Sequence, residues 1–294
     1  MNPPVSPWRL WFLAVRPKTL PASVSPVVVG GAVAWAEGGF HAAAMLVCLL
    51  FALTMQIGAN LANDYFDWKN QVDGSERLGP KRFCQSGLIA PARMKRAVLL
   101  TFFVAALLLI FLVARGGWPI VTLGLLAIAA APAYSGGPYP LAAHGLGEAA
   151  AFVFFGLVAV GGSAFIIGGH YGWLAFIAAI PPGLLIAALM LVNNYRDMAT
   201  DADAGRRTLA IIFGRDKSVL IYRALLTASY LLPAAMALQR GPFLCLPLLT
   251  LPLAWRLGQR LAAWQGEQLN SLLAATAQLA LLHSLLFALG IVLS

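Results

Sequence analysis

Apolar runs, each near the roughly 20 residues that a helix needs to cross a bilayer, follow one another from Leu20 to Leu293. A chain so patterned can fold only where lipid covers its outer surface, and in lipid each span must satisfy its own backbone polar groups. The expected fold is therefore an all-α membrane protein of about nine transmembrane helices. They are placed near Leu20–Ala36, Ala42–Ala62, Ala97–Ala114, Pro119–Tyr134, Gly147–Gly168, Trp173–Tyr195, Val219–Leu238, Pro242–Arg256 and Leu272–Leu293. Composition agrees: 60% of residues are hydrophobic and 11% charged, against about 25% charged in soluble domains. One membrane domain, residues 1–294, is expected. Pro242, Pro247 and Pro252 make the eighth span the weakest, while Pro132, Pro181, Pro182 and Pro233 predict kinks.

The charges between spans alternate. One side carries Arg9, Arg16 and Lys18, then Lys69 to Arg96, then Arg196 to Lys217, then Arg256 and Arg260; the other carries only Arg115 and Arg240. The excess of Lys and Arg marks the cytoplasmic side, so the N-terminus is cytoplasmic and the C-terminus lies opposite. That bias, with attraction to anionic headgroups, accounts for a net charge of +9 without nucleic acid as a partner. Met1 to Lys18, rich in Pro and Trp, reads as a lead-in along the lipid surface. Cys48, Cys84 and Cys245 lack the number and spacing for disulfides or zinc. No feature specifies an oligomeric state.

Two acidic rows stand out. Asn60, Asp64 and Asp67 fall at i, i+4 and i+7 at the end of the second span, with Asp73 beyond; Asn193, Asp197 and Asp201 repeat the chemistry at i, i+4 and i+8 after the sixth. Each row places its side chains on one helix face. Two carboxylates about 4 Å apart repel by about 4 kcal/mol at an effective dielectric near 20, so such rows expect a cation. Hard Mg²⁺ prefers carboxylate and phosphate oxygen and takes one or two protein carboxylates per ion. The pair therefore reads as two jaws of a magnesium–diphosphate site, with Asp64, Asp67, Asp73, Asp197 and Asp201 as metal ligands and two ions bridging the diphosphate. The five carboxylates and a diphosphate outweigh two Mg²⁺, so further positive charge is needed. Lys69, Arg77, Lys81, Arg82, Arg196, Arg206 and Arg207 stand beside the rows to supply it. Asn63 and Asn193 join the binding set. Asn63 to Arg96 and Arg196 to Lys217 are the longest cytoplasmic connections and read as lids.

A third stretch, Tyr134-Ser-Gly-Gly-Pro-Tyr139, returns the chain to the cytoplasmic surface. Tyr134 and Tyr139 read as interfacial anchors or as donors to the diphosphate that face a developing cation. His144 and Glu148 at i, i+4 could form a proton-transfer pair or a plain surface pair.

At Arg16-Pro-Lys-Thr-Leu20, Asn63-Asp-Tyr-Phe-Asp67 with Asp73, Gly79-Pro80, Gln85-Ser-Gly-Leu-Ile, Gly136-Gly-Pro-Tyr-Pro-Leu141, Gly145-Leu-Gly147 and Asn194-Tyr-Arg-Asp197, the chain resembles the UbiA-type intramembrane aromatic prenyltransferases. Within that family it is most similar to the naphthoate subgroup. The wider family has an acid where Gln71 stands here, and Asp73 two residues on follows the subgroup. Where the subgroup often has a Lys and an Arg around its Thr-Leu-Ala segment, this chain has Arg206 or Arg207 and Ile212. The resemblance implies a bundle whose central cavity opens sideways to lipid and is capped by two cytoplasmic loops, in a bacterial inner membrane. It implies transfer of a polyprenyl chain from its diphosphate to 1,4-dihydroxy-2-naphthoate, with loss of the ring carboxylate, giving demethylmenaquinone; 4-hydroxybenzoate is the alternative acceptor. From another class, a transporter of divalent cations or phosphate-bearing substrates is the rival reading, although transporters usually hold their polar site near the midplane. A scaffold protein would need no matched acidic rows.

Overall fold

The computed structural model describes residues 6–71, 78–79, 82–136 and 140–294, and every regular element among them is helical. Asp73, Arg77, Lys81 and Tyr139 lie outside the described residues. The lead-in forms a short helix α1 (Pro7–Ala14) and a 3₁₀ turn (Pro17–Thr19), which meets α2 (Pro21–Ala36) at a bend of 52°. Then come α3 (Ala42–Lys69), α4 (Pro91–Ala133), α5 (Gly147–Gly168) and α6 (Trp173–Arg196). The short α7 (Met198–Asp203) leads into α8 (Leu209–Arg240), a 3₁₀ segment (Pro242–Thr250), α9 (Leu251–Ala263) and α10 (Gln268–Leu293).

Among the described residues six helices are long and apolar enough to cross a membrane, or seven if the bent pair of lead-in and α2 is one span. The 43-residue α4 would stretch about 65 Å if straight, twice the roughly 30 Å of a bilayer core. It does not run straight. At Gly117 the backbone enters the left-handed region (φ 66°), which costs glycine little. The legs fold back so closely that a methyl group at Gly124 would stand 2.3 Å from the Leu109 side chain. These legs correspond to the third and fourth expected runs. The eighth expected run is not one helix, since its proline-rich half winds as a 3₁₀ coil with Pro247 inside before α9 begins.

The largest core cluster knits α6, α8, α9 and α10 through Leu185, Leu191, Tyr222, Leu257 and Leu272. Lipid is as apolar as these side chains, so close helix packing must contribute what the hydrophobic effect cannot. At the α5–α6 contact a methyl group on Gly156 would lie 2.9 Å from the Ala179 carbonyl oxygen and 3.0 Å from the Gly183 Cα, so only small residues fit. Gly162, six residues further along α5, has no heavy atom within 4 Å of such a methyl group and faces a cavity. Small residues thus both close contacts and leave room.

Candidate functional site

A cavity of about 350 Å³ lies within the bundle, walled by α2, α3, both legs of α4, α5 and α6. Its deep part is apolar, with Leu109, Leu112, Ile120 and Ile166 near the α4 turn and the aromatic rings of Phe51, Phe154 and Phe155 along the wall. Phe154 and Phe155 belong to a π-helical turn, Phe152–Val158; such widened turns are frequent at functional sites. The other end of the cavity, where α3 and α6 terminate, presents Asp67, Arg82, Asn193, Asp197, Asp201 and Arg206.

The first row stands on uninterrupted helix, because α3 continues to Lys69. Asn60, Asp64 and Asp67 are all buried, yet they have different partners. The Asn60 amide donates to the Val15 carbonyl (2.9 Å) and to the Thr19 hydroxyl (3.1 Å), fastening the lead-in to α3. Asp64 accepts the backbone N–H groups of Phe83 (2.8 Å) and Cys84 (2.9 Å) and does not line the cavity. Asp67 does line it, accepting from Arg82 and, at 2.7 Å, from Arg206.

The second row is broken. Helix α6 ends at Arg196, and Asp197 (φ −93°, ψ 9°) is the joint to α7. The Asp201 amide still donates to the Asp197 carbonyl at 2.8 Å, so the turn carries both carboxylates toward the cavity. Arg196 grips both oxygens of Asp197, at 2.8 and 2.6 Å, and its outer nitrogens reach Asn193 and Asn270 at 3.0 Å each. Arg206 donates to Asp201 (3.1 Å) and to Asp67. One guanidinium therefore joins the two rows, a planar fork suited to two carboxylates.

Burial pushes the Asp201 carboxyl up to about 6, opposed by the Arg206 charge and reinforced by Asp197. For Arg206 burial acts downward, but the Asp67 and Asp201 carboxylates outweigh it and raise its pKa above the ordinary value.

Of the residues expected in the site, Asn60, Asn63, Asp67, Arg82, Tyr134, Asn193, Asp197, Asp201 and Arg206 line the cavity. Lys69 and Arg207 do not; both side chains are exposed, and Arg207 acts through its backbone N–H, which donates to the Ala143 carbonyl at 2.8 Å. Arg196 stands behind Asp197. Asn63 accepts from the Ser135 hydroxyl, and the Tyr134 hydroxyl points to the Met190 sulfur at 2.9 Å. His144 and Glu148 do not share a helical face, because helix starts only at Gly147, after Gly145 turns with φ 71°. Glu148 instead accepts from Asn194 at 2.9 Å. Asn270 and Ser135 were not singled out in the sequence; a lone amide near the start of an apolar helix was the available signal for Asn270.

The donor set suits a hard divalent cation, being carboxylate and amide oxygen. Among the described residues no three acidic, His or Cys side chains converge tightly enough to hold an ion alone. Mg²⁺ takes one or two protein carboxylates, and its shell is completed by water and substrate phosphate oxygen.

The fold and site define an integral membrane helical bundle that can hold a charged head at one end of an apolar cavity. The chain belongs to the UbiA prenyltransferase family, whose profile matches residues 23–282, and it is a prenyltransferase. It is 33% identical to the 1,4-dihydroxy-2-naphthoate octaprenyltransferase of Haemophilus influenzae, with 96% of each chain covered. It is 34% identical to the Escherichia coli protein of the same name, over 99% of this chain and 97% of the relative. Among solved structures, a UbiA homologue from Archaeoglobus fulgidus bound to GPP and Mg²⁺ matches with a TM-score of 0.64 at 17% identity, covering 97% of this chain and 99% of that one.

Proposed function

We propose that this protein transfers a polyprenyl chain from its diphosphate to 1,4-dihydroxy-2-naphthoate, with Mg²⁺ as cofactor. The observation that carries the reading is the Arg206 bridge between Asp67 and Asp201 at the polar end of an apolar cavity; the names of the curated relatives supply the acceptor. Bound Mg²⁺, about two ions, would neutralise the charge that collects on a departing diphosphate. Asp67, Asp197 and Asp201 would hold it, joined by Asp73, while Asp64 would hold the Phe83–Cys84 segment in place rather than the ion. Arg82 and Arg206 supply preorganised positive charge on the cavity wall. The apolar wall, with the rings of Phe51, Phe154 and Phe155, would accommodate the chain and exclude water. Tyr134, which lines the cavity close to Asp67, Asp201 and Arg206, would be the ring nearest the allylic carbon as its C–O bond opens.

In the transfer, the C–O bond breaks and its electron pair leaves with the diphosphate. The ring carbon bearing the carboxylate bonds to the allylic carbon, and the carboxylate departs as carbon dioxide, returning its electron pair to the ring. Charges balance without a proton, and the product leaves at the quinol level as demethylmenaquinol; its two-electron oxidation to the quinone belongs to a separate electron acceptor. The nine-span count with a cytoplasmic N-terminus follows if both α4 legs and the Pro242–Ala263 segment each cross the bilayer, in a bacterial inner membrane. External labelling of single cysteines at Gly38 and Ser294, with none at Gly205, is the expected pattern, and the reverse would invert the topology.

The direct test is purified protein with polyprenyl diphosphate, Mg²⁺ and either 1,4-dihydroxy-2-naphthoate or 4-hydroxybenzoate. Stoichiometric carbon dioxide and prenylated naphthoquinol are expected. Prenylated 4-hydroxybenzoate as the preferred product would replace the acceptor, and cation or phosphate flux in vesicles without prenyl transfer would overturn the reading.

A further inference from the structure

Helix α10 gives the cavity a single apolar residue, Leu273, but one turn earlier it carries an amide with both ends engaged. Asn270 Oδ1 accepts from Arg196 Nη1 at 3.0 Å, and Asn270 Nδ2 donates to the Leu78 carbonyl at 2.8 Å. The amide orientation is forced, since a guanidinium can only donate and a carbonyl only accept. The flanking Leu269 and Leu272 are buried in the cluster that includes Leu191 and Tyr195 of α6, so the backbone beneath Asn270 is fixed against the end of α6. Arg196 is itself buried and spans Asp197 bidentately.

We infer that Asn270 is a positioning residue that acts through Arg196 to aim the Asp197 carboxylate into the cavity. The guanidinium is held on one side by Asn193 of its own helix and on the other by Asn270. With both amides in place, the plane of the Arg196 fork is set, and the carboxylate it grips is set with it. The lone pairs of Asp197 that Arg196 does not use then face the cavity. Without Asn270, one Nη1 hydrogen-bond partner is lost and the guanidinium turns about its remaining contacts, taking Asp197 with it. Partners one step behind a metal ligand typically change metal affinity 10- to 100-fold.

This inference rests on the proposal that Asp197 is a metal ligand, and its test separates the two. Mn²⁺ binding to the purified protein is measured by electron paramagnetic resonance with inorganic pyrophosphate present, for wild type, Asn270→Ala and Asn270→Asp, alongside melting temperature. Asn270→Ala is expected to bind Mn²⁺ about tenfold more weakly while melting like wild type, with turnover recovering at saturating Mn²⁺. Asn270→Asp keeps an oxygen for Arg196 and should hold Mn²⁺ at least as well as wild type, although it too loses the donor to Leu78. Unchanged affinity in Asn270→Ala, or an equal loss in both variants, would overturn the role through Arg196. Failure of wild type to bind Mn²⁺ with pyrophosphate would instead remove the metal-site reading beneath it.

Discussion

The two acidic rows share an Asn-x-x-x-Asp beginning, but the fold uses them differently. In the first, unbroken helix separates two tasks: Asp64 looks away from the cavity and fastens the chain at Phe83 and Cys84, while Asp67 looks into it. In the second, the helix ends at Arg196, and both Asp197 and Asp201 line the cavity with arginines close in sequence as partners. The contrast teaches that equal spacing does not give equal roles. What decides is whether the helix continues past the acid and which donors the next segment brings.

The largest effects should come from the acids that meet across the cavity. Asp67→Asn and Asp201→Asn are each expected to lower turnover by about a hundredfold or more, the scale of losing a preorganised charge group, as read by initial rates of prenyl transfer at saturating substrate. Retention of near-normal turnover by either would break the equivalence of the two cavity-facing acids.

Next in size is a contrast between neighbours. Arg206→Gln removes the bridge and should cut turnover by about a hundredfold, whereas Arg207→Gln, exposed and joined to Ala143 only through its backbone among the contacts described, should leave turnover within about twofold. Equal losses would show that the exposed guanidinium also reaches the substrate.

Asp64 should differ from Asp67 in kind. Removing its carboxylate leaves two backbone N–H groups at buried Phe83 and Cys84 without their acceptor, at about 1–3 kcal/mol for each unmet donor. Asp64→Ala is therefore expected to lower the melting temperature of the purified protein clearly, while Asp67→Asn lowers it less. If Asp64→Ala instead kept full thermal stability and lost cation binding, Asp64 would belong with the cavity-facing acids.

The smallest effect concerns pH. Burial raises the Asp201 carboxyl to about 6, and a cation needs the ionised form. Mn²⁺ affinity in the presence of pyrophosphate should hold above that pH and decline as pH falls through about 6. The Asp201→Asn variant should lack this step, and persistence of the step there would assign it to another group.

The sequence makes the spans and the acidic rows legible because both are local patterns, an apolar run of the right length and side chains repeating on one helix face. The two legs of α4 are legible for the same reason, as separate apolar runs near Ala97–Ala114 and Pro119–Tyr134. Partners across the fold were less so. Arg206 lies 139 residues from Asp67, and among several nearby bases nothing local marks it as the bridge while Arg207 faces outward. The task of Asp64 was hidden more completely, because its donors are backbone amides, and any residue at 83 and 84 other than proline would supply them. Asn270 is the same case from the other side, an amide whose meaning depends on Arg196 being brought to it by tertiary packing.

The central claim is that both rows act on one substrate headgroup, and a double-mutant cycle on Asp67 and Asp201 tests it most directly. Turnover is measured for Asp67→Asn, Asp201→Asn and the combined variant under identical conditions. Residues that serve one charge cluster are strongly non-additive, so the combined variant should be scarcely slower than the worse single one. If the two losses multiply, Asp67 and Asp201 act independently, and the single bridged site described here is wrong.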